Sequence, residues 1–338
     1  MYKRQQLKLK GATNVLDLQW NGVQIDKIAF DGFVDKNGLV VDNFSAFAGK
    51  GGSLAAHGSI LEDGTLSVNG RMADFPIDPL LTMATGKDAR GLCSTEFNLS
   101  GNINAPQFAG VMQMTQAEFM HQKITEAHGL LSLQDNVLKI KDFKANMDQG
   151  SHLINGSIDL RGSEPSIDLV LSTKGVRIEP LMQIISSDAY VTGNLDNELV
   201  LKGVVSNPSI LGEIHASDGS AAKQLFNSVD GHYSYIDGEL TLKNFVVNAA
   251  IAKVELNGKM NKNRELDFLL DAQNVDLAHL PVKDDTLDLD GLLNAKGYLG
   301  GTLTKPYFKG DVISDEIFIN GEKISEIQGT LKLSLIHI

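Results

Sequence analysis

The sequence predicts an all-β protein, an elongated repeat rod of antiparallel strands with a few short helices. Apolar and polar residues alternate with a period of two, as they do in strands that bury one face. The chain has 338 residues with 33 glycines and only 8 prolines, which indicates many tight turns and few rigid breaks. Segments of similar pattern also recur about every 100 residues, and this predicts a repeat architecture.

The alternation is clearest in three segments. Leu16, Leu18 and Trp20 are separated by polar residues near the start of the chain. The same pattern is found in Ile167, Leu169 and Leu171 and again in Leu266, Phe268 and Leu270. Successive side chains of a strand point to opposite faces, so each segment predicts a strand with one apolar and one polar face.

Pairs of residues that favour hairpin turns are frequent. Asn-Gly pairs begin at positions 21, 37, 69, 155, 257 and 320, and Asp-Gly pairs begin at 31, 63, 218, 230, 237 and 290. Both pairs tolerate the positive φ that two-residue antiparallel turns require. We therefore expect these twelve positions to connect neighbouring strands.

Helical patterns are few and short. Residues 78–83 and 179–185 each carry a proline near the start, Pro79 and Pro180, where its missing N–H does little harm to a helix. Each segment suits about two helical turns. We interpret both as caps or plugs at the edge of a sheet.

Three sets of positions recur in the same order. A glycine, a proline and a second glycine are spaced by five and four residues in Gly101, Pro106 and Gly110, in Gly203, Pro208 and Gly212, and in Gly301, Pro306 and Gly310. A leucine-rich strand ends in Phe44, Phe143 and Phe245 and is followed by Gly58, Gly156 and Gly258. Leu80, Leu181 and Leu280 mark the helical patch, although His279 replaces the proline of the other two copies.

The recurrences divide the chain into repeat units. We expect a partial unit over residues 7–100, full units over 101–202 and 203–300, and the start of a fourth over 301–333. About eight strands per unit, spaced by about 4.8 Å, would make each unit about 40 Å long. Residues 1–6 and 334–338 do not continue the pattern, and we expect them to be non-native tails on the middle of a longer protein.

Composition excludes several classes of function. The formal net charge is −12 and aromatic residues make up 6% of the chain, which argues against a nucleic-acid binder. No apolar run approaches the roughly 18 residues of a membrane-spanning helix, and no signal peptide follows Lys3 and Arg4. Cys93 is the one cysteine. We expect it to be a small buried hydrophobe rather than a reactive thiol.

Motifs for catalysis or cofactors are absent from the sequence. It contains no phosphate-binding loop, dinucleotide fingerprint, nucleophile elbow or HExxH zinc motif. His121 and His128 lack partners at metal-ligand spacing. A cluster of four aspartates, Asp284, Asp285, Asp288 and Asp290, could suggest calcium, but its alternation with leucines fits the solvated face of a strand better. We therefore expect no enzyme, no catalytic residue, no metal and no cofactor.

The repeated elements resemble those of the AsmA-like/TamB family. The similarity rests on Leu99-Ser100-Gly101 to Gly110, on Leu201-Lys202-Gly203 to Gly212 and on the leucine-rich strand that ends in phenylalanine, and it covers about residues 7–333. It implies a sheet folded into a U-shaped trough with an apolar groove. It also implies a periplasmic location in a double-membraned bacterium, in a protein anchored in the inner membrane. The implied roles are phospholipid transport between the membranes and assistance to outer-membrane protein assembly.

A groove of this kind would bind lipid through its aliphatic side chains. The candidate groove residues are Ile167, Leu169, Leu171, Leu240, Leu242, Leu266, Phe268 and Leu270. An acyl chain of about 15 methylenes, at about 0.8 kcal/mol each, would gain roughly 12 kcal/mol by burial. The expected partner is therefore phospholipid, with an outer-membrane barrel protein contacted through C-terminal parts outside this chain. The same alternation also fits a sheet folded onto a dry core, and the residues alone leave both open.

Two further functions fit the pattern. Exposed strand edges could pair with client strands, as in a scaffold or chaperone for outer-membrane protein assembly. A rod with a dry core could instead serve as a cell-surface adhesin.

Overall fold

The computed structural model describes residues 9–20, 23–49, 51–78, 89–119, 122–179, 191–221, 224–279 and 288–334. The chain divides into two compact units, Met1–Leu171 and Ser172–Ile338. Both are built from antiparallel strands, so the predicted all-β class is confirmed. The boundaries proposed for the repeat units remain a prediction.

Unit 1 is an antiparallel meander in which each strand pairs with the next along the chain. Its strands are β1 (Leu9–Trp20), β2 (Val23–Asp35), β3 (Gly38–Ala48), β4 (Gly52–Leu61), β5 (Thr65–Pro76), β6 (Ala89–Asn102), β7 (Ala105–Phe119), β8 (Gln122–Gln134), β9 (Val137–Met147) and β10 (Ser151–Asp159). Consecutive pairings run from β1 to β10. Strand β11 (Ser166–Arg177) spans the division between the two units.

Unit 2 has the same organisation. Its strands are β12 (Val191–Val204), β13 (Ser209–Ala221), β14 (Gln224–Ile236), β15 (Glu239–Ala249), β16 (Ala252–Met260), β17 (Glu265–Asp276), β18 (Leu289–Thr302), β19 (Lys305–Ile319) and β20 (Glu322–Ser334). Each pairs antiparallel with its neighbour in sequence from β12 to β20.

The repeat contains six strands rather than the expected eight. Its glycine–proline–glycine element forms the hairpins β6–β7, β12–β13 and β18–β19, and its leucine-rich strands are β3, β9 and β15. In the first and third hairpins the leading glycine faces the proline directly, as Gly101 faces Pro106 and Gly301 faces Pro306. Strands are longer than the alternation alone suggested, up to 15 residues in β7 and β19, so fewer of them fill each repeat.

Only four of the twelve glycine pairs expected at turns are found at hairpin connections. These are the pairs that begin at Asn37, Asp63, Asp237 and Asn320. The pair at 21 lies outside the described residues. The seven pairs at 31, 69, 155, 218, 230, 257 and 290 lie inside strands, so the turn prediction is wrong for them.

Glycines inside the strands make room for neighbouring groups. A Cβ added at Gly70 would lie 2.2 Å from Cζ of Phe97, whose ring covers that position from the next strand. A Cβ at Gly231 would likewise meet Cδ2 of Phe245 at 2.7 Å. A glycine in a strand interior often marks such a close approach or a bulge, and this explains why the pairs do not turn the chain.

The repeated glycine that follows each leucine-rich strand accompanies a bulge. Gly156 and Gly258 have φ of +136° and +148°, and the strand register shifts beside each. Asn155 Oδ1 accepts a hydrogen bond from the backbone N–H of Asp142 at 2.7 Å, and Asn257 does the same for Asn244 at 2.6 Å. The Asn-Gly pairs at 155 and 257 therefore stabilise a bulge in the leucine-rich strand.

Helices contribute little to the described structure. A three-residue 3-10 helix, Leu277–His279, is the one helix that lies wholly within the described residues, and Asp78, Ile178 and Glu179 are also helical. Apart from Asp78 and Glu179, the helices predicted over 78–83 and 179–185 lie outside the described residues, as do Leu80, Leu181 and Leu280. Within the described ranges, helix is limited to these few residues and strands make up the rest of the regular structure.

Candidate functional site

The candidate functional surface is one face of the sheet in unit 2, which we call the apolar face of unit 2. Cross-strand pairing places Leu240, Met260 and Leu266 in one row and Leu242, Gly258 and Phe268 in the next. Because directly opposed residues of paired strands share a face, these rows form one surface. Its larger side chains are Leu240, Leu242, Phe245, Leu256, Met260, Leu266, Phe268, Leu270, Leu299 and Phe308.

The five candidate groove residues of unit 2 all lie on this face. Leu266 and Phe268 are buried, with exposed fractions of 9% and 5%. Leu240, Leu242 and Leu270 are half-buried and keep surface that a ligand could cover. The structure thus brings together five residues that come from two separate strands, β15 and β17.

The other three candidates belong to strand β11 in unit 1. Ile167, Leu169 and Leu171 are half-buried and alternate with the exposed residues Asp168 and Val170. They share one face of their own strand, as the period-two pattern predicted.

The opposite face of unit 2 is charged. Lys259 Nζ lies 3.1 Å from Glu239 Oε2, and Lys296 Nζ lies 2.8 Å from Asp271 Oδ2. The bond from Lys296 lowers the pKa of Asp271, so this carboxylate stays ionised. Leu269 lies on the same face as these charged residues and is 66% exposed. A hollow of about 750 Å³ on this face is bordered by the same Lys296–Asp271 pair.

Unit 1 repeats the division into two faces. Cys93, Met114, Ala127 and Ala145 follow one another across β6, β7, β8 and β9 and belong to one buried cluster. Cys93 is fully buried, and burial raises the pKa of its thiol to about 11. The expectation that this cysteine is a buried hydrophobe is confirmed.

A second cluster of unit 1 lies on the same face nearer its start. Val23, Ile25, Ala46, Ala48 and Phe75 are buried together, and they come from β2, β3 and β5. Apolar packing therefore joins strands that are not direct neighbours in the meander.

Titratable side chains on the polar faces form pairs rather than a cluster. His215 Nδ1 lies 2.5 Å from Asp230 Oδ1, and this bond raises the pKa of His215. No group of three or more His, Cys, Asp or Glu side chains is arranged to hold a metal ion within the described ranges. His128 and Asp290 are exposed, whereas His121, Asp284 and Asp285 lie outside the described residues.

Sequence reasoning missed one polar pair on the apolar face of unit 2. Asn197 occupies a position of β12 that alternates with Leu195, Leu199 and Leu201, so the period-two pattern places it among leucines. Tyr233 Oη donates a hydrogen bond to Asn197 Oδ1 at 3.0 Å. The asparagine in the apolar register of β12 was the signal that could have found it.

Comparison with known proteins identifies no relative, since no family model, no curated protein and no solved structure matches this chain. Among the described residues, no helix is both long and apolar enough to cross a membrane.

Proposed function

We propose that this chain is a segment of a periplasmic bridge-like protein that carries phospholipid between the inner and outer membranes along the apolar faces of its sheet. The observation that carries the proposal is the separation of the two faces. In unit 2, aliphatic and aromatic side chains follow one another from strand to strand on one side, while ion pairs such as Lys296–Asp271 lie on the other.

The chemistry of this face suits transport better than catalysis. Each methylene of an acyl chain gains about 0.8 kcal/mol when it leaves water, so a chain of about 15 methylenes gains roughly 12 kcal/mol. Half-buried leucines such as Leu242 and Leu270 would supply that contact. Because similar residues recur across the strands, a lipid would meet no single deep minimum and could move along the face.

The periplasmic location and the inner-membrane anchor rest on the resemblance to the AsmA-like/TamB family. The same source supports a role in outer-membrane biogenesis, with a barrel protein as partner beyond this chain. The geometry described above supports the lipid-binding part of the proposal, because a continuous apolar surface is what an acyl chain requires.

Two adjacent leucines on opposite faces of β17 provide the test. Leu270 lies on the apolar face, and Leu269 is 66% exposed on the polar face. We would purify the wild-type chain and the variants Leu270→Asp and Leu269→Asp and extract bound phospholipid for mass spectrometry. Binding of a fluorescent diacyl phospholipid would be measured in parallel.

The proposal predicts that wild type and Leu269→Asp retain lipid and that Leu270→Asp loses most of it. Circular dichroism must show the same strand content in both variants, because a buried charge can also unfold a strand. Absence of lipid from the folded wild-type chain would refute the proposal. Equal lipid in the two variants would show that lipid binds elsewhere than on this face.

Strand edges support a second candidate, a scaffold that pairs with client strands. Within the described part of the chain, β1 pairs only with β2 and β20 only with β19. Both carry exposed apolar residues, among them Leu16 at 64% and Ile324 at 42%. Unpaired edges of this length favour strand addition.

The edge hypothesis predicts concentration-dependent end-to-end association of the chain, measured by light scattering after size-exclusion chromatography. Leu16→Lys together with Ile324→Lys should reduce it, because edge lysines oppose pairing. A strictly monomeric wild-type chain at high concentration would contradict an open edge.

A further inference from the structure

The Asn197–Tyr233 pair is a polar point on an otherwise apolar surface. Asn197 faces Ile214 across β12 and β13, and its neighbours on the face are Leu195 and Leu199. The asparagine side chain is nearly buried, with 9% of the residue exposed. A polar group at such a position is costly unless each of its hydrogen-bonding atoms finds a partner.

Tyr233 supplies one of those partners. Its ring covers Gly212, where an added Cβ would lie 2.6 Å from both Cζ and Oη. This stacking aims the hydroxyl at β12, where it donates to Asn197 Oδ1 at 3.0 Å. Burial raises the pKa of Tyr233, so the hydroxyl keeps its proton and remains a donor.

The amide nitrogen of Asn197, Nδ2, is the other group of this side chain that needs a hydrogen-bond partner. Among the described residues, no group accepts a hydrogen bond from Nδ2 of Asn197. Asn197 keeps 9% of its surface exposed, and its strand register places that residue on the apolar face. An amide donor without a partner among the described residues therefore lies on the same face as the leucines.

Equivalent positions of the other repeats lack this pair. We find these positions by aligning the repeats on Gly110, Gly212 and Gly310, the second glycine of each glycine–proline–glycine element. Tyr233 is replaced by Leu131 and Leu331, which face Gly110 and Gly310. Asn197 is replaced by Thr95, whose hydroxyl is satisfied by the carbonyl of Glu96, and by Ala295. The two described positions equivalent to Asn197 therefore carry no side-chain N–H donor.

We propose that Asn197, positioned by Tyr233, binds the ester carbonyl of an acyl lipid that lies on the apolar face of unit 2. The proposal rests on the proposed function, since it requires a lipid on that face. A carbonyl oxygen accepts the Nδ2 hydrogen bond, while the flanking acyl chain contacts Leu195 and Leu199. The ester is the first acceptor met along a phospholipid from its acyl end, so the pair would fix the depth at which the lipid pauses.

Ester and ether lipids separate this proposal from simple apolar binding. A dialkyl ether analogue with the same headgroup and chain length keeps the apolar surface but lacks the carbonyl. We would measure competition of diacyl phosphatidylglycerol and its dialkyl analogue against a fluorescent diacyl phospholipid on the full chain. Variants would be Asn197→Leu, Asn197→Thr, Tyr233→Phe and, as a control on the opposite face of β12, Asn194→Leu.

We expect wild type to prefer the ester lipid by about threefold to tenfold, the range that one hydrogen bond provides. Asn197→Leu should bind both lipids equally, and Asn194→Leu should keep the preference. Tyr233→Phe should weaken the preference, because it releases the amide from its fixed orientation. Asn197→Thr introduces the residue type that the first repeat has at this position. It would be used instead of Asn197→Leu if the leucine variant does not fold.

The outcomes distinguish the two proposals. Equal binding of ester and ether lipids by wild type, or an unchanged preference in both Asn197 variants, overturns the role of Asn197 and leaves lipid transport standing. Failure of wild type to bind either lipid overturns the proposed function and this inference together.

Discussion

Replacement of Gly258 by alanine tests whether the repeated glycines build the sheet. Gly258 has a φ of +148°, a conformation that residues with a Cβ rarely adopt, at a cost of about 1–3 kcal/mol. An added Cβ would lie 2.1 Å from the carbonyl oxygen of Asp267 and 2.6 Å from Cα of Phe268. Relief of this overlap requires the backbone of β17 to move, which adds about 1–3 kcal/mol. We therefore expect Gly258→Ala to destabilise unit 2 by about 2–6 kcal/mol.

Hydrogen exchange of the strands around Gly258, together with urea unfolding, would measure this loss. Exchange is needed because repeat proteins can unfold locally and need not follow a two-state transition. Gly329→Ala is the matched control, since Gly329 is also in a strand but has nothing within 4 Å of an added Cβ. We expect it to change stability by less than about 0.5 kcal/mol. Equal stability of the two variants would refute the role assigned to Gly258.

Three further predictions concern single side chains. Cys93 should resist a thiol reagent at pH 8 in the folded chain and react fully in denaturant, because it is buried and its pKa is raised to about 11. Rapid labelling of the folded chain would contradict this. Burial lowers the pKa of His152, so its contribution to stability is complete above the unfolded pKa of about 6.5 and is lost as pH falls through the folded value. Urea unfolding should therefore give a lower free energy of unfolding at pH 5 than at pH 7. The variant His152→Gln should show a smaller difference between the two pH values. Asn257→Ala should cost about 1 kcal/mol by removing the acceptor for the Asn244 N–H, and an unchanged urea midpoint would argue against it.

The period-two alternation predicted the faces of the strands correctly, because a strand has no other way to place successive side chains. Leu266, Phe268 and Leu270 lie on one face of β17, and the exposed Leu269 lies on the other. The repeat was also visible in the sequence, since its glycines and phenylalanines occupy positions where few other residues fit. Which occupant, if any, covers the apolar face depends on tertiary structure and ligands, which a local pattern does not contain.

The glycine pairs predict too many strands because the same pair occurs both in turns and inside strands. Asn37-Gly38 supplies the conformations of a turn, whereas Asn257-Gly258 supplies a bulge and a close approach between strands. Local sequence does not separate these uses, because the approaching backbone of β17 lies farther along the chain. Counting the pairs inside strands as turns therefore gives too many strands, eight per repeat instead of the six in the structure.

Repeated and unrepeated positions carry different information about function. The repeated Gly156 and Gly258 admit the backbone of a neighbouring strand, so a change there would abolish ligand binding simply by disturbing the sheet. Side chains that vary between repeats, such as Asn197 and its counterparts Thr95 and Ala295, can change without altering that architecture. A protein that moves a lipid along similar repeats needs a uniform surface for movement and local differences for pauses. Variants that change the face and keep the glycines are therefore the ones that can test the proposed lipid binding without disturbing the fold.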